Sequence, residues 1–349
     1  MTLADFESRL IRHWRRWLVV IAVLGAALRI IYVAMTPPVL ENDAVGYDRL
    51  AKRLLSGEGM AFYAQPSAER TPGYPLFIAA IYSLGGNPQT VRLAQAALEG
   101  ATIFLMGALG ILIGVAPGGI LAAALLTAIF PPLIQQPAEL YSETLYQFFL
   151  ILAFVLALDA ASFKRGLLAG IVWGMAVLIR PAAVYWIPIL AVIIALRSGR
   201  NYRAAGAALL LAAVITISPW LIRNARVVGT PVMSTLGYQN IYVYNARLDS
   251  DDWQVVQQAF GATLRELGER IGWGEDIQRT RRDVQIDSLC RAEAQRLIRE
   301  HPGRFAALSL KKVACLWGNV GYGVPASRKS VAVALFIAAL MALVLVQFV

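Results

Sequence analysis

The sequence predicts an all-α polytopic membrane protein with about eight transmembrane helices, each needing roughly 20 apolar residues to cross a ~30 Å hydrocarbon core. Three observations carry that expectation. Apolar residues make up 58% of the 349 positions and charged residues only 15%, where a soluble domain carries nearer a quarter charged. The mean hydropathy is +0.58. The charges also cluster, in an N-terminal arm, a few short loops and one long segment after Arg223, with long apolar runs between them.

The first run, Trp17 to Met35, follows Arg12, Arg15 and Arg16. It is longer than a signal-peptide core and lacks a small-x-small cleavage site, so it reads as an uncleaved anchor. The basic flank places the N-terminus in the cytoplasm. Pro37-Pro38 ends the run. Tyr47, Leu50, Ala51, Leu54 and Leu55 then repeat at helical spacing, with Asp48, Arg49, Lys52 and Arg53 between them. That pattern predicts a short amphipathic helix on the membrane surface, ended by Gly57 and Gly59. Gly73 to Leu84 is apolar but too short for a span and reads as a second interfacial or re-entrant piece.

Further runs are expected at 91–114, 117–135, 141–158, 166–180, 182–196, 204–222 and 331–349. Alternating from the first, the connections at Lys164-Arg165 and at Arg197, Arg200 and Arg203 fall inside, and both are basic as the positive-inside rule demands. Residues 223–330 fall outside as one large, mostly helical segment. Within it Asp283 to Glu300 carries an apolar stripe of Ile286, Leu289, Cys290, Ala294, Leu297 and Ile298, and Phe305 to Trp317 reads as a second amphipathic helix. The organisation is thus a membrane module over 1–222 with its first outer loop at 37–90, an extracytoplasmic segment over 223–330 and a final span at 331–349.

The formal charge of +10 would suggest nucleic acid on a soluble chain; here basic residues meet anionic headgroups of membrane lipids, and nucleic acid is not an expected partner. Cys290 and Cys315 are isolated thiols, open to one disulfide or to simple packing. With only His13 and His301, a histidine triad or His-rich metal site is not expected. No internal repeat is visible, which weakens a transporter built on inverted repeats.

Charges inside spans are costly and mark candidate sites. Arg29 lies about 9–10 Å below the outer end of the first run and Glu99 about 12 Å below that of the second, at 1.5 Å per residue. Opposite signs at matching depth fit a buried ion pair fixing helix packing; the alternative is contact between Arg29 and a lipid phosphate. A second set gathers at the outer ends: Asp43, Glu69 and Arg70 in the first loop, Glu139 and Glu143 before the fourth span, Arg180 before Pro181, and Arg223 after Pro219-Trp220. Headgroup snorkelling explains any one of these arginines. It explains less well why carboxylates join them at one level.

These residues form an ordered set. The first loop reads Asp43-Ala-Val-Gly-Tyr47-Asp-Arg-Leu-Ala51, then Gly57-Glu-Gly59, then Glu69-Arg70-Thr-Pro72-Gly73-Tyr74-Pro75-Leu-Phe77. Leu178-Ile-Arg180-Pro181 follows, then Ser218-Pro219-Trp220-Leu-Ile-Arg223-Asn224 and Ser234-Thr235-Leu-Gly237. The set resembles the GT-C superfamily of membrane glycosyltransferases, in the bacterial branch similar to protein mannosyltransferases and to the aminoarabinose transferases of lipid A. The resemblance implies a polyprenyl-phosphate sugar donor, a glycan, lipid or protein acceptor, and a site on the outer face of a bacterial inner membrane. Relatives often carry adjacent acids in the first loop; here Ala44 follows Asp43, so no metal ligands are assigned and a divalent cation is left open. Many relatives also continue beyond the point at which Val349 closes the last run, so whether an acceptor-recognising C-terminal part is present is left open.

The chemistry suits these residue types. A lipid phosphate leaves as a stable anion and needs preorganised positive charge rather than a general acid. Arginine pairs with phosphate oxygens and keeps its proton, which makes Arg70, Arg180 and Arg223 the donor-phosphate candidates. The acceptor hydroxyl needs a base: Asp43, with Glu69 in reserve. A single displacement predicts inversion at the anomeric carbon. Tyr47, Tyr74, Glu143, Trp220 and Asn224 are the expected substrate-lining residues, although single aromatics at this depth commonly serve as interfacial anchors. Two other readings stand beside this one. A flippase or transporter of lipid-linked sugars requires a polar path through the bilayer centre, and a non-catalytic subunit of a glycan assembly would use the outer loop to bind a partner. A phosphatase is disfavoured because no histidine or cysteine nucleophile joins the outer cluster.

Overall fold

A computed structural model of the chain describes residues 12–62, 65–197, 199–243 and 282–318, with a few positions between 262 and 269. The chain divides into two compact units, Met1–Pro66 with Thr71–Val227, and Ser67–Arg70 with Val228–Val349.

The first unit is a helical bundle. Its elements are α1 (Trp14–Met35), α2 (Asp43–Leu55), a two-residue hairpin of β1 (Ala61–Phe62) and β2 (Gln65–Pro66), α3 (Gly73–Ser83), α4 (Pro88–Leu112), α5 (Pro117–Ile129), α6 (Pro131–Gln135), α7 (Glu143–Leu158), α8 (Phe163–Ile179), α9 (Trp186–Ala195) and α10 (Arg200–Val227). The hairpin pairs Ala61 with Pro66 and Phe62 with Gln65, antiparallel. Among the described residues, α1, α4 and α10 are long and apolar enough to cross a membrane, or four spans if the bent α5–α6 pair counts as one. The sequence led to an expectation of about eight; its other runs form the shorter helices α7, α8 and α9, and 331–349 lies outside the described residues. The short apolar piece at Gly73–Ser83 is a helix of 11 residues, as its length implied.

The run expected at 117–135 is one correction. It breaks after Ile129, and α5 and the following segment to Ala138 meet at 58°. Pro131 and Pro132 explain the break. An α-helix bonds each N–H to the carbonyl four residues back, and proline has none to give. The carbonyls of Thr127 and Ala128 therefore lose their helical partners. Arg29 supplies replacements: Nη2 donates to Thr127 O at 2.8 Å and Nη1 to Ala128 O at 3.0 Å. The same guanidinium lies 3.9 Å from Glu99 on α4, and both side chains are within 1% of full burial. The expected ion pair is thus present, but its members are not hydrogen-bonded to each other. Both Glu99 carboxylate oxygens lack a hydrogen-bond partner among the described residues.

The end of α1 meets the same problem and solves it the same way. Pro37 leaves the Val33 carbonyl without its helical donor, and Gln89 Nε2 donates to it at 3.1 Å. Arg92 Nη1 reaches Thr36 O at 2.9 Å and its Nε reaches Ala138 O. Gln95 Nε2 donates to Pro137 O at 3.0 Å and Glu139 O at 2.8 Å. Residues 89, 92, 95 and 99 recur at three- and four-residue steps, so one face of α4 carries a polar stripe. That stripe fastens two proline-rich turns to the bundle. An Asn87–Thr90 capping box with Pro88 at the first helical position starts α4 beside them.

Small residues set the other contacts. A Cβ on Gly166, Gly170 or Gly174 of α8 would strike Ala205, Leu209 and Thr216 of α10 respectively. Both series ascend together, so α8 and α10 run parallel at close approach, in the manner of small-residue seams between membrane helices. On its other side α10 packs antiparallel to α9, with Gly206 against Ala191 and Ala195. Gly100 of α4 meets Ala26 of α1, and Gly107 meets Leu18, an antiparallel pair.

The second unit contains α11 (Gly237–Asn240), α12 (Arg282–Glu300) and α13 (Pro302–Gly318). The two longer helices match the expected amphipathic pair. The apolar face of α12 buries Ile286, Cys290 and Ala294 with Tyr242, Val243 and Leu267. Cys290 is a free, buried thiol whose pKa is pushed up to about 12, first by burial and then by Asp287. The Cys315 side chain lies outside the described residues. Arg291 stacks over Tyr238, and the Tyr238 backbone N–H donates to Asp287 at 3.0 Å.

Candidate functional site

Thr71 Oγ1, just before α3, donates to Ile179 O at the end of α8, and Tyr74 of α3 bonds Gln95 near the start of α4. With the antiparallel and parallel contacts above, the C-terminal ends of α1, α8 and α10 and the N-terminal end of α4 therefore share one side of the first unit. Pro181 shapes the centre of this side. The residue before a proline is driven out of the helical region, and Arg180 is extended at φ −142°, ψ 120°. The turn is locked by Trp173 Nε1 donating to Ala183 O at 2.9 Å. Arg180 then leaves the axis of α8 and pairs with Glu143, the first residue of α7, at 2.5 Å. Its guanidinium also approaches Ser142 Oγ at 3.5 Å and lies over the Tyr146 ring at 5.9 Å. The pair remains open to solvent, with side chains 40% and 43% exposed.

Tyr47 joins this group from α2: its hydroxyl lies 3.4 Å from Ser142 Oγ, and its ring meets Tyr74 edge-on at 4.8 Å. Tyr74 is fully buried and donates to Gln95 Oε1 at 2.6 Å, tying the aromatic pair to the polar stripe of α4. Burial raises the Tyr74 phenol pKa well above its ordinary value, with Tyr47, Glu143 and Tyr82 adding to the effect. The expected substrate-lining tyrosines are therefore buried side chains behind Arg180 and Glu143. Tyr82 donates to Asp48 Oδ1 at 2.7 Å and fastens α3 to α2; burial and then that hydrogen bond push its phenol pKa up.

Asp43 is exposed at the first turn of α2. Asn42 before it adopts φ 50°, ψ −123°, a positive-φ turn conformation outside the left-handed helical well, and so sets the turn into the helix. Beside it opens a cavity of about 300 Å³ lined by Tyr32, Glu41, Asn42, Gln135, Glu139 and Tyr141, among others. Tyr141 marks where the acids gather: burial, then Glu139 and Asp43, push its phenol pKa up, a hydrogen bond with Asn42 opposes this, and Glu143 adds a smaller upward effect. Arg92 bonds the carbonyls of two wall residues, Thr36 and Ala138.

Arg223 belongs to another group. Its Nη2 donates to Met60 O at 2.6 Å, its Nη1 donates to Asn224 Oδ1 at 2.8 Å, and its guanidinium lies over buried Trp220 at 5.0 Å. Asn224 is fully buried. This trio holds the first loop near the hairpin. Glu69 and Arg70 lie in the second unit, 3.9 Å apart, where Ser234 Oγ donates to Glu69 O at 2.7 Å and the Thr235 N–H to Ala68 O at 3.1 Å. Among the described residues no three His, Cys, Asp or Glu side chains cluster as metal ligands would.

The structure thus brings together Tyr47, Tyr74, Glu143 and Arg180, and sets Asp43 among the carboxylates around Tyr141. Sequence reasoning missed Ser142, Tyr141, Tyr146 and Gln95. A signal for Gln95 was present, in the spacing of Gln89, Arg92, Gln95 and Glu99; a serine and two tyrosines in an apolar run carry none. No family model matches the chain, and no curated protein is significantly similar to it.

Proposed function

We propose that this chain transfers a sugar, with inversion, from a polyprenyl-phosphate donor to an acceptor hydroxyl on the outer face of a bacterial inner membrane. The protein is then multi-pass, with about eight spans, some of them short or broken, and a cytoplasmic N-terminus. The observation that supports this reading is the half-exposed Arg180, turned out by Pro181 beside Ser142, Glu143 and Tyr47, on a unit whose carboxylate-lined cavity adjoins Asp43. An arginine on a fixed turn suits a phosphate that develops charge as the glycosidic bond breaks. Asp43 takes the proton of the acceptor hydroxyl, and Glu69 is the reserve for that role. Arg70 and Arg223 remain supporting cations; the Met60 and Asn224 contacts of Arg223 fit a role in holding the loop as well as in binding phosphate.

The test is transfer from a labelled polyprenyl-phosphate sugar by the full chain in proteoliposomes, with envelope glycans compared by mass spectrometry in cells with and without the protein. Asp43→Asn should abolish transfer in protein that still folds and inserts. Full turnover in that variant rejects Asp43 as the base, and unchanged glycans together with no labelled product reject glycosyl transfer.

A further inference from the structure

We infer that Glu143 is a built-in competitor for the anion at Arg180: a carboxylate that occupies the guanidinium until a phosphate displaces it. The inference rests on the reading of Arg180 as a phosphate-binding residue.

Three observations carry it. First, Arg180 and Glu143 form a direct ion pair at 2.5 Å while each side chain remains about two-fifths exposed. A pair this open to water is weakly held, so an incoming anion has little to overcome. Secondly, the Arg180 main chain is fixed independently of Glu143. Pro181 sets its extended backbone and Trp173 locks the turn through Ala183 O, so displacing the carboxylate leaves the backbone that carries the cation in place, with the Tyr146 ring still beside the guanidinium. Thirdly, the carboxylate has somewhere to go. Glu143 is the first residue of α7, where free backbone N–H groups and the helix dipole favour negative charge. Ser142 Oγ, between Tyr47 and Arg180, keeps a hydroxyl beside the guanidinium whichever anion is bound.

A phosphate group competes well for such a site because it presents several oxygens to the guanidinium fork, and arginine pairs with two at once. The carboxylate then acts as a filter: anions that offer a single oxygen fail to displace it, and a phosphate ester with two free oxygens succeeds. Neutralising Glu143 should remove the competitor, and Glu143→Gln preserves its size.

The experiment measures binding of farnesyl phosphate, inorganic phosphate and farnesol to the full chain in lipid nanodiscs. It compares wild type, Glu143→Gln, Arg180→Ala and the double variant. We expect Glu143→Gln to bind both phosphates roughly fivefold tighter, the size of one weak charge pair, with farnesol unaffected. Arg180→Ala should weaken phosphate binding, and the double variant should match it with no gain. If Arg180→Ala weakens binding while Glu143→Gln gives no gain, or if farnesol or the double variant gains equally, the competitor role is overturned and the phosphate reading stands. If Arg180→Ala leaves binding unchanged, both are overturned.

Discussion

Replacing Arg29 with methionine separates two jobs held by one buried side chain. The guanidinium donates to Gly25 O, Ala128 O and Thr127 O, and it lies 3.9 Å from Glu99 without a hydrogen bond to it. Two of those bonds cross to α5 and satisfy carbonyls that Pro131 and Pro132 leave bare. A hydrogen bond from a charged donor contributes about 1.5–3 kcal/mol in soluble proteins, and bonds between membrane helices average about 0.6 kcal/mol. Two such bonds therefore give about 1 kcal/mol on the membrane average and about 3–6 kcal/mol on the soluble scale. Leaving Glu99 buried without its cation adds to the loss, as in the ~3–5 kcal/mol of a broken buried pair. Glu99→Gln leaves both carbonyls capped and the guanidinium still bonded to three backbone oxygens, so it should cost less than Arg29→Met. The assay is reversible unfolding of the purified protein in mixed micelles, run on both single variants and the double. A third background, Pro131→Ala with Pro132→Ala, restores backbone donors to Thr127 and Ala128. It should recover part of the Arg29→Met loss. A greater cost for Glu99→Gln than for Arg29→Met, or no recovery in the alanine background, refutes the capping argument.

Two further outcomes follow from the packing. Gly170→Leu forces a side chain onto the Leu209 carbonyl and Ala212 of α10, so α8 and α10 must separate; the unfolding midpoint of the purified protein in mixed micelles should fall, and an unchanged midpoint contradicts the close seam. Gln95→Leu leaves the Tyr74 hydroxyl and the Pro137 and Glu139 carbonyls without their partner, at about 1–3 kcal/mol for each buried group left bare. Hydrogen exchange across 136–142 should rise in that variant, and unchanged protection there contradicts the anchoring role.

How much was legible in the sequence depended on whether the signal was periodic or covalent. The amphipathic stripe of Asp283 to Glu300 gave a helix found at Arg282–Glu300, because burial on one face follows directly from spacing. Arg29 and Glu99 were matched by depth alone, and they do face each other. Pro131-Pro132 stood in plain view, yet the run from 117 to 135 looked continuous because hydropathy counts apolar surface and is blind to a missing N–H. The same blindness hid the purpose of Gln89, Arg92 and Gln95: they donate to carbonyls of the two proline-rich turns, among them the Val33 carbonyl that Pro37 leaves without a donor, and where such a carbonyl sits is a property of the folded turn. Ser142 was invisible because a hydroxyl has no meaning until Tyr47 and Arg180 reach it from other helices. The short runs at α7 and α9 show a further limit, since apolar composition does not state how many helical turns a segment will keep.

The parallel seam between α8 and α10 has a consequence in time. Parallel neighbours cannot be joined by a tight turn, and α9 must run back between them in the chain before α10 begins. The glycine face of α8 is therefore made well before the surface it fits. At about 5–20 residues per second, the 31 positions from Gly174 to Ala205 take roughly two to six seconds to synthesise. For that interval Gly166, Gly170 and Gly174 present bare backbone with no partner from their own chain.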